Sequence, residues 1–362
     1  MRKKSRERAL HVNERGIVAV VSAFFLSVSL PFCAEPVVGT PAQQVSETTD
    51  SIMGDWQGTF TQRNKRTSPL AAQVIALGKG KYHATLLPEF DKRTTPVASL
   101  EGLTSGSAVR FMGWGDVSSY RGPDWDGLIR DGKFTGSVPA REGGTFEMQK
   151  VVRLSPTLGA KPPAGAVVLF DGTNFDQWET PAGRPSPPKT AAGKPSPPKP
   201  VLAQPTPVKW KIVNDAAIAS GGTIVTKKKF GNFNLHLEFR TPFMPEAREQ
   251  SRGNSGVLFH GLEIQVLDTY GLEGRSKECG GIYNRVAPLV NMCAPPMQWQ
   301  TYDVTIRTPD KSGNARLTVL QNGVKIHDDL DVGRPIAQPD SIRLQDHGNP
   351  VQYRNIWLVE LP

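Results

Sequence analysis

Between Gly54 and Arg153 apolar and polar residues alternate in short runs separated by Gly-rich turns. Trp56–Thr61, Gln73–Leu77, Tyr82–Leu87, Val109–Met112, Leu128–Arg130, Lys133–Gly136 and Thr145–Val152 each have the period of two expected of a half-buried strand. A second series follows Trp210: Trp210–Val213, Thr223–Thr226, Phe233–Arg240, Gly256–His260, Glu263–Asp268, Thr301–Arg307, Ala315–Gln321, Val324–His327, Ile342–Gln345 and Asn355–Glu360. No run has the 3.6-residue period of a long helix, so the chain is predicted to be all-β. Asp131-Gly132 and Asn322-Gly323 carry the residues of tight hairpin turns. Within Asn234–Arg240 the alternation assigns Leu235, Leu237 and Phe239 to one face and His236, Glu238 and Arg240 to the other, which makes His236 a solvated residue of a half-exposed strand.

Two Pro-rich interruptions organise these runs. Lys161-Pro162-Pro163-Ala164-Gly165 separates a small all-β accessory domain, residues 51–160, from a second β-rich region, residues 166–362. The segment Ala182-Gly183-Arg184-Pro185-Ser186-Pro187-Pro188-Lys189 recurs nearly unchanged from Ala192 to Lys199. Such a repeat favours extended, solvated chain. Because Val167–Trp178 already reads as a strand and turn with nothing upstream to complete it, residues 181–207 are predicted to be a disordered insertion within the second domain.

The chain has 362 residues, with 35 Gly and 31 Pro, in keeping with many turns and two domains. A net charge of +9 suggests nucleic acid until it is located. Residues 1–34 contribute +4 and residues 181–200 another +4, which leaves +1 for the folded body and removes the case for a nucleic-acid partner. Arg2 to Arg15 form a basic start before the 14-residue apolar run Ile17–Leu30. That pattern reads as a signal peptide over residues 1–34, followed by a flexible leader over 35–50, and the apolar run is too short to span a bilayer. A secreted or periplasmic protein is expected, without a transmembrane span in the mature chain; a lipid on Cys33 is the lesser alternative. Beyond that point only Cys279 and Cys293 remain. In an oxidising compartment a disulfide between them closes a 15-residue segment and adds about 3 kcal/mol.

The tryptophans of the first domain, Trp56, Trp114 and Trp125, can anchor its core or line a sugar-stacking face, and at least two of the three are expected in the core. In the second domain Glu263 and Gln265 share a strand face; Asp268, five positions from Glu263, joins that face only through a bulge. Paired carboxylates on a concave sheet suit acid/base work on sugars. His347, beside Gly348 at a strand end, is a second candidate for proton transfer near neutrality. No serine or cysteine nucleophile motif, phosphate loop or metal set is present, so no cofactor is expected; a structural calcium ion is left open without a residue pattern to support it.

Leu169-Phe170-Asp171-Gly172 with Trp178, then Lys229–Arg240, Gly253-Asn254-Ser255-Gly256-Val257, Glu263–Asp268, Gly281-Ile282-Tyr283, Trp299–Asp303, Leu344–Gly348 and Arg354-Asn355-Ile356 occur in this order. The series resembles the 3-keto-disaccharide hydrolase domain family over about residues 166–362. The resemblance implies a concanavalin A-like jelly-roll β-sandwich in an exported bacterial protein acting on a glycoside or oligosaccharide. Glu263–Asp268 is also similar to the Glu-x-Asp-x-x-Glu strand of jelly-roll β-glucanases, whose first Glu is the nucleophile and last the acid/base; here Gln265 replaces the middle carboxylate and Asp268 is one methylene shorter. For a 3-keto sugar the chemistry needs a base for the C2 hydrogen, a proton donor for the leaving oxygen and donors at the developing enolate oxygen. Glu263 or His347 is then the base, Asp268 the partner acid, and Asn254, Gln265, Gln345 and Arg354 the substrate-binding groups, with Tyr283 donating a proton or packing under the ring. The alternative is a carbohydrate-binding or surface module without catalysis, since jelly rolls serve both purposes.

Overall fold

The computed structural model describes residues 50–117, 120–139, 143–181, 204–309 and 313–362. The expected signal peptide and leader, apart from Asp50, lie outside these residues, as does most of the Pro-rich insertion. Of the latter only residues 181 and 204–207 are described, and Thr206 pairs with Thr180, just before the insertion, through an antiparallel bridge.

The first eight strands close a barrel: β1 (Gly54–Gln62), β2 (Thr67–Gly78), β3 (Lys81–Leu87), β4 (Ala98–Ser105), β5 (Ala108–Val117), β6 (Tyr120–Arg130), β7 (Lys133–Val138) and β8 (Gly144–Val151), each antiparallel to the next and β8 to β1. Closure leaves no free strand edge. Trp56, Phe111, Trp125, Phe134 and Phe146 fill the interior through edge and tilted ring contacts. Asp131 and Gly132 take φ of 51° and 73° in the β6–β7 turn, which an Asp-Gly pair adopts at little cost.

The remaining strands are β9 (Val167–Phe170), β10 (Trp178–Glu179), β11 (Lys211–Val213), β12 (Ala216–Ile218), β13 (Ile224–Thr226), β14 (Phe233–Arg240), β15 (Ser255–Phe259), β16 (Leu262–Val266), β17 (Gln300–Arg307), β18 (Arg316–Gln321), β19 (Val324–Asp331), β20 (Arg343–Leu344) and β21 (Gln352–Glu360). They form a jelly-roll sandwich with a five-stranded sheet, β10-β13-β20-β15-β16, and a larger sheet, β11-β12-β21-β14-β17-β18-β19, to which β9 adds beside β21. Alternate residues of the strands, among them Leu235, Leu237 and Phe239, Val257 and Phe259, Ile264 and Val266, and Leu344, meet in the shared core. The chain is thus all-β, as its patterning predicts.

Barrel and sandwich are packed through polar contacts at their seam. Tyr270 Oη donates to Asp55 Oδ1 at 2.6 Å, and Asp55 also pairs with Arg153 Nε at 2.8 Å. Arg93 reaches from the barrel to the carbonyls of Gly274, Pro288 and Leu289 at 2.7–3.1 Å.

The polar face of β14 departs from the expected half-exposed strand. His236 and Glu238 are buried, at 1% and 0% exposure, because the connecting segment 155–161 crosses this side of the larger sheet. Gly159 N donates to Glu238 Oε1 at 2.5 Å, and the Ala160 carbonyl accepts from Asn355 Nδ2 and Trp357 Nε1. His236 stacks on Trp357 and bonds Asp303 through Nδ1 at 2.6 Å.

The cysteines also depart from expectation. Cys279 and Cys293 are buried free thiols, not a disulfide. The two thiols lie in hydrogen-bonding contact with each other; Cys279 Sγ also lies 3.2 Å from Tyr302 Oη and accepts from Gln321 Nε2 at 3.3 Å, while Cys293 Sγ points at the Leu267 and Ala294 carbonyls.

Candidate active site

The outward face of the five-stranded sheet gathers most of the residues singled out by the sequence. β15 and β16 pair without a register shift, Gly256 opposite Gln265 and Leu258 opposite Glu263. Beyond β16 the segment 280–283 pairs along the edge through the bridge Ile264↔Ile282, with Tyr283 N donating to the Glu263 carbonyl at 3.0 Å. On the other side Arg343 of β20 stands opposite Leu258, and Gln345 N donates to the Gly256 carbonyl at 2.9 Å. Strand pleating therefore sets Tyr283, Glu263, Leu258 and Arg343 in one row, and Gln265, Gly256 and Gln345 in the next, all on the same face.

Gly256 leaves room for the Glu263 side chain to lie over β15. A Cβ at Gly256 would come 2.6 Å from Glu263 Oε1, so here glycine serves a close approach between neighbouring strands. The half-buried carboxyl is pushed above its ordinary value by burial, and the nearby His347 opposes part of that rise. A carboxyl shifted this way is better matched to proton transfer near neutrality than an exposed one. His347 itself is exposed.

The turn that carries His347 is pinned by its neighbours. Asp346 accepts from Gly222 N at 2.7 Å and from Gly348 N at 2.9 Å, and Gly348 has φ of 81°. Asn349 Oδ1 accepts from Asn254 N at 2.7 Å, which joins this turn to the start of β15.

Behind the row lies an amide ladder. Gln265 Nε2 donates to Asn254 Oδ1 at 3.2 Å and to Gln250 Oε1 at 3.3 Å, and Asn254 Nδ2 donates to the Gln250 carbonyl at 2.8 Å. Asn254 is buried with its amide engaged, and it holds Gln265 in place. Gln265 Oε1 is buried and has no hydrogen-bond partner, a costly arrangement for an acceptor.

Two expected members lie elsewhere. Asp268 follows the end of β16 with the parity of Ile264 and Val266, and no bulge turns it towards Glu263. It is buried and ion-paired with Arg252 Nε at 2.6 Å. Burial raises its carboxyl while Arg252 opposes the rise, and the pair braces the backbone before β15. Arg354 belongs to β21 in the other sheet, where its Nε donates to Glu238 Oε2 at 2.7 Å and its guanidinium lies 4.1 Å from the Trp299 ring centre. The sequence reading overlooked Arg343 and Asp346. Arg343 was legible by counting two back from Gln345 along the strand; the role of Asp346 was signalled by the Asp-x-Gly turn pattern.

Residues 165–359 match the 3-keto-alpha-glucoside-1,2-lyase-like domain. The chain belongs to that family. The lyase-like match covers the sandwich and every residue of the site, and begins after the barrel. Among solved structures, a candidate glycosyl hydrolase from Parabacteroides distasonis shares 29% identity, covering 55% of this chain and 85% of that one, with a TM-score of 0.44. A second candidate glycosyl hydrolase from the same organism shares 20% identity over 55% of this chain and 94% of its own, with a TM-score of 0.41. No curated protein matches the chain.

Proposed function

We propose that this lyase-like protein is an exported carbohydrate-active enzyme that cleaves the glycosidic bond of a 3-keto-glycoside by elimination followed by hydration. The observation that carries the reading is Glu263, its carboxyl raised by burial, beside His347 on a face shared with Tyr283, Gln345 and Arg343. The 3-ketone acidifies the hydrogen on C2. Glu263 takes that proton, and the electron pair becomes the C2–C3 double bond of an enolate with its charge on the C3 oxygen. The C1–O bond then breaks, and His347 protonates the departing oxygen. Water adds its hydroxyl at C1 while C2 recovers a proton, which regenerates the ketone as a free 3-keto sugar. Arg343 and Gln345 supply the charge and the hydrogen-bond donor for the enolate oxygen, the interaction that strengthens as charge develops. Tyr283 flanks Glu263 where it can support the ring. Export is inferred from residues 1–34, whose basic start and apolar run favour secretion or the periplasm.

Incubation with a 3-keto-disaccharide and with its unoxidised parent, run in D2O, tests the reading. The expected result is release of free sugar from the keto form only, with one deuterium at C2 of the product. Release without deuterium points to direct hydrolysis, and release from neither leaves a binding module as the better account.

A further inference from the structure

The barrel has a wall that none of the chemistry above uses. Trp56 and Trp125 are in its core, but Trp114 is 65% exposed, and Met112 and Leu103 are 70% and 58% exposed. Their register places them together: Ser99 opposite Trp114, Glu101 opposite Met112, Leu103 opposite Arg110. One strand further, His83 stands opposite Glu101 and Thr85 opposite Ser99; on the other side Asp126 stands opposite Met112. The polar members are already organised, with His83 Nδ1 2.9 Å from Glu101 Oε1 and His83 Nε2 3.3 Å from Thr85 Oγ1.

The same wall runs into the seam with the sandwich. His83, Thr85 and Ser99 line one side of a cleft of ≈ 490 Å³ whose other side includes Gly271, Leu272 and Asn291 together with the charged Glu273, Arg275 and Glu278. That volume is within the range of small-molecule sites, about 300–1,000 Å³. Thr94, whose buried hydroxyl has no hydrogen-bond partner, lines it too. An open aromatic face thus continues into a polar cleft.

We infer that Trp114 and this seam cleft form a second carbohydrate-binding site, in which a neutral oligosaccharide lays the apolar C–H face of one ring on Trp114 and extends towards Ser99, Thr85 and the cleft. A sugar ring is apolar on its faces and polar at its rim, which matches an exposed indole surrounded by hydroxyl, carboxylate and imidazole groups. A membrane surface fits worse, since Glu101 and Asp126 would be carried into the apolar contact with Met112. The choice of ligand class rests on the carbohydrate-active reading of the sandwich; the site itself rests on the barrel.

The mature protein is titrated by calorimetry with maltohexaose, cellohexaose, xylohexaose and mannohexaose. At least one is expected to bind. Trp114→Ala should weaken that binding roughly tenfold or more, as loss of a central aromatic contact does, and Trp114→Phe should restore part of it. Tm should not change, because the ring is exposed; if it falls, the double variant Ser99→Ala, Glu101→Gln carries the same test. Glu263→Gln should bind the oligosaccharide like the unaltered protein, so loss of turnover and loss of barrel binding are separable. Failure of all four sugars to bind, equal binding by Trp114→Ala, or adsorption to phosphatidylcholine vesicles in place of sugar would overturn the inference.

Discussion

At the scale of single residues, Glu263 is distinguished by its surroundings. Gln265 shares its face but is buried and tied to Asn254 and Gln250, and Asp268 is neutralised by Arg252. Glu263→Gln keeps shape and most hydrogen bonding while removing the proton acceptor, so turnover of a 3-keto substrate should fall ~10²-fold or more with KM little changed. Steady-state kinetics on the folded variant measure this, and retained turnover would move the base elsewhere. Sequence patterning singled out Glu263 by the period of two and His347 by its strand end, and the family resemblance added Tyr283 and Gln345; pairing along the sheet sets Glu263, Tyr283 and Gln345 on one face. The sequence reading misplaced Arg354, for which it offered only proximity to a motif: which sheet a strand joins is decided by pairings more than a hundred positions apart, such as Arg354 with Glu238 across β21 and β14.

Elements decide how that carboxyl is aimed. Because the Glu263 side chain occupies the space above Gly256, Gly256→Ala should displace its flexible tip while leaving the backbone in place. Activity is expected to drop by at least tenfold with a Tm change of only a few degrees; an unchanged kcat would show that the carboxyl does not work from that position. The legibility of the elements followed their chemistry. β14 was read to the residue from Phe-Asn-Leu-His-Leu-Glu-Phe-Arg, whereas β4 was missed. Its Ala-Ser-Leu-Glu-Gly-Leu-Thr-Ser has no β-branched or aromatic residue before Thr104 and carries a glycine, since Gly102 lies against the Phe111 ring where a side chain would clash. The Pro-rich repeat, legible from composition, lies outside the described residues. Its flanks meet at Thr180 and Thr206, so removal of residues 182–203 with a short Gly-Ser closure should leave Tm nearly unchanged in a thermal scan, and unfolding of the sandwich on deletion would contradict the insertion reading.

For the whole molecule, the segment between barrel and sandwich covers a buried ionic network that the alternation in β14 did not reveal, because the cover over that face comes from residues some eighty positions earlier. His236 loses from burial, but its bonds to Asp303 and Glu238 outweigh the loss and raise its pKa to about 9. Burial likewise works against the Glu238 carboxylate, yet His236, Asn355 and Arg354 bring it down to about 2. A raised histidine stabilises the fold fully below its unfolded value of 6.5 and ceases to do so as pH climbs through about 9. A depressed carboxylate stabilises above its unfolded value of 4.5 and loses that contribution as pH falls through about 2. The two windows overlap between those unfolded values, so the network should hold the connecting segment most firmly at pH 4.5–6.5. His236→Gln removes the charge and keeps a polar side chain. The Tm difference between this variant and the unaltered protein should be greatest near pH 6 and shrink steadily towards pH 9, and a difference independent of pH across that interval would mean that His236 is neutral in the folded protein and contributes by packing on Trp357 alone.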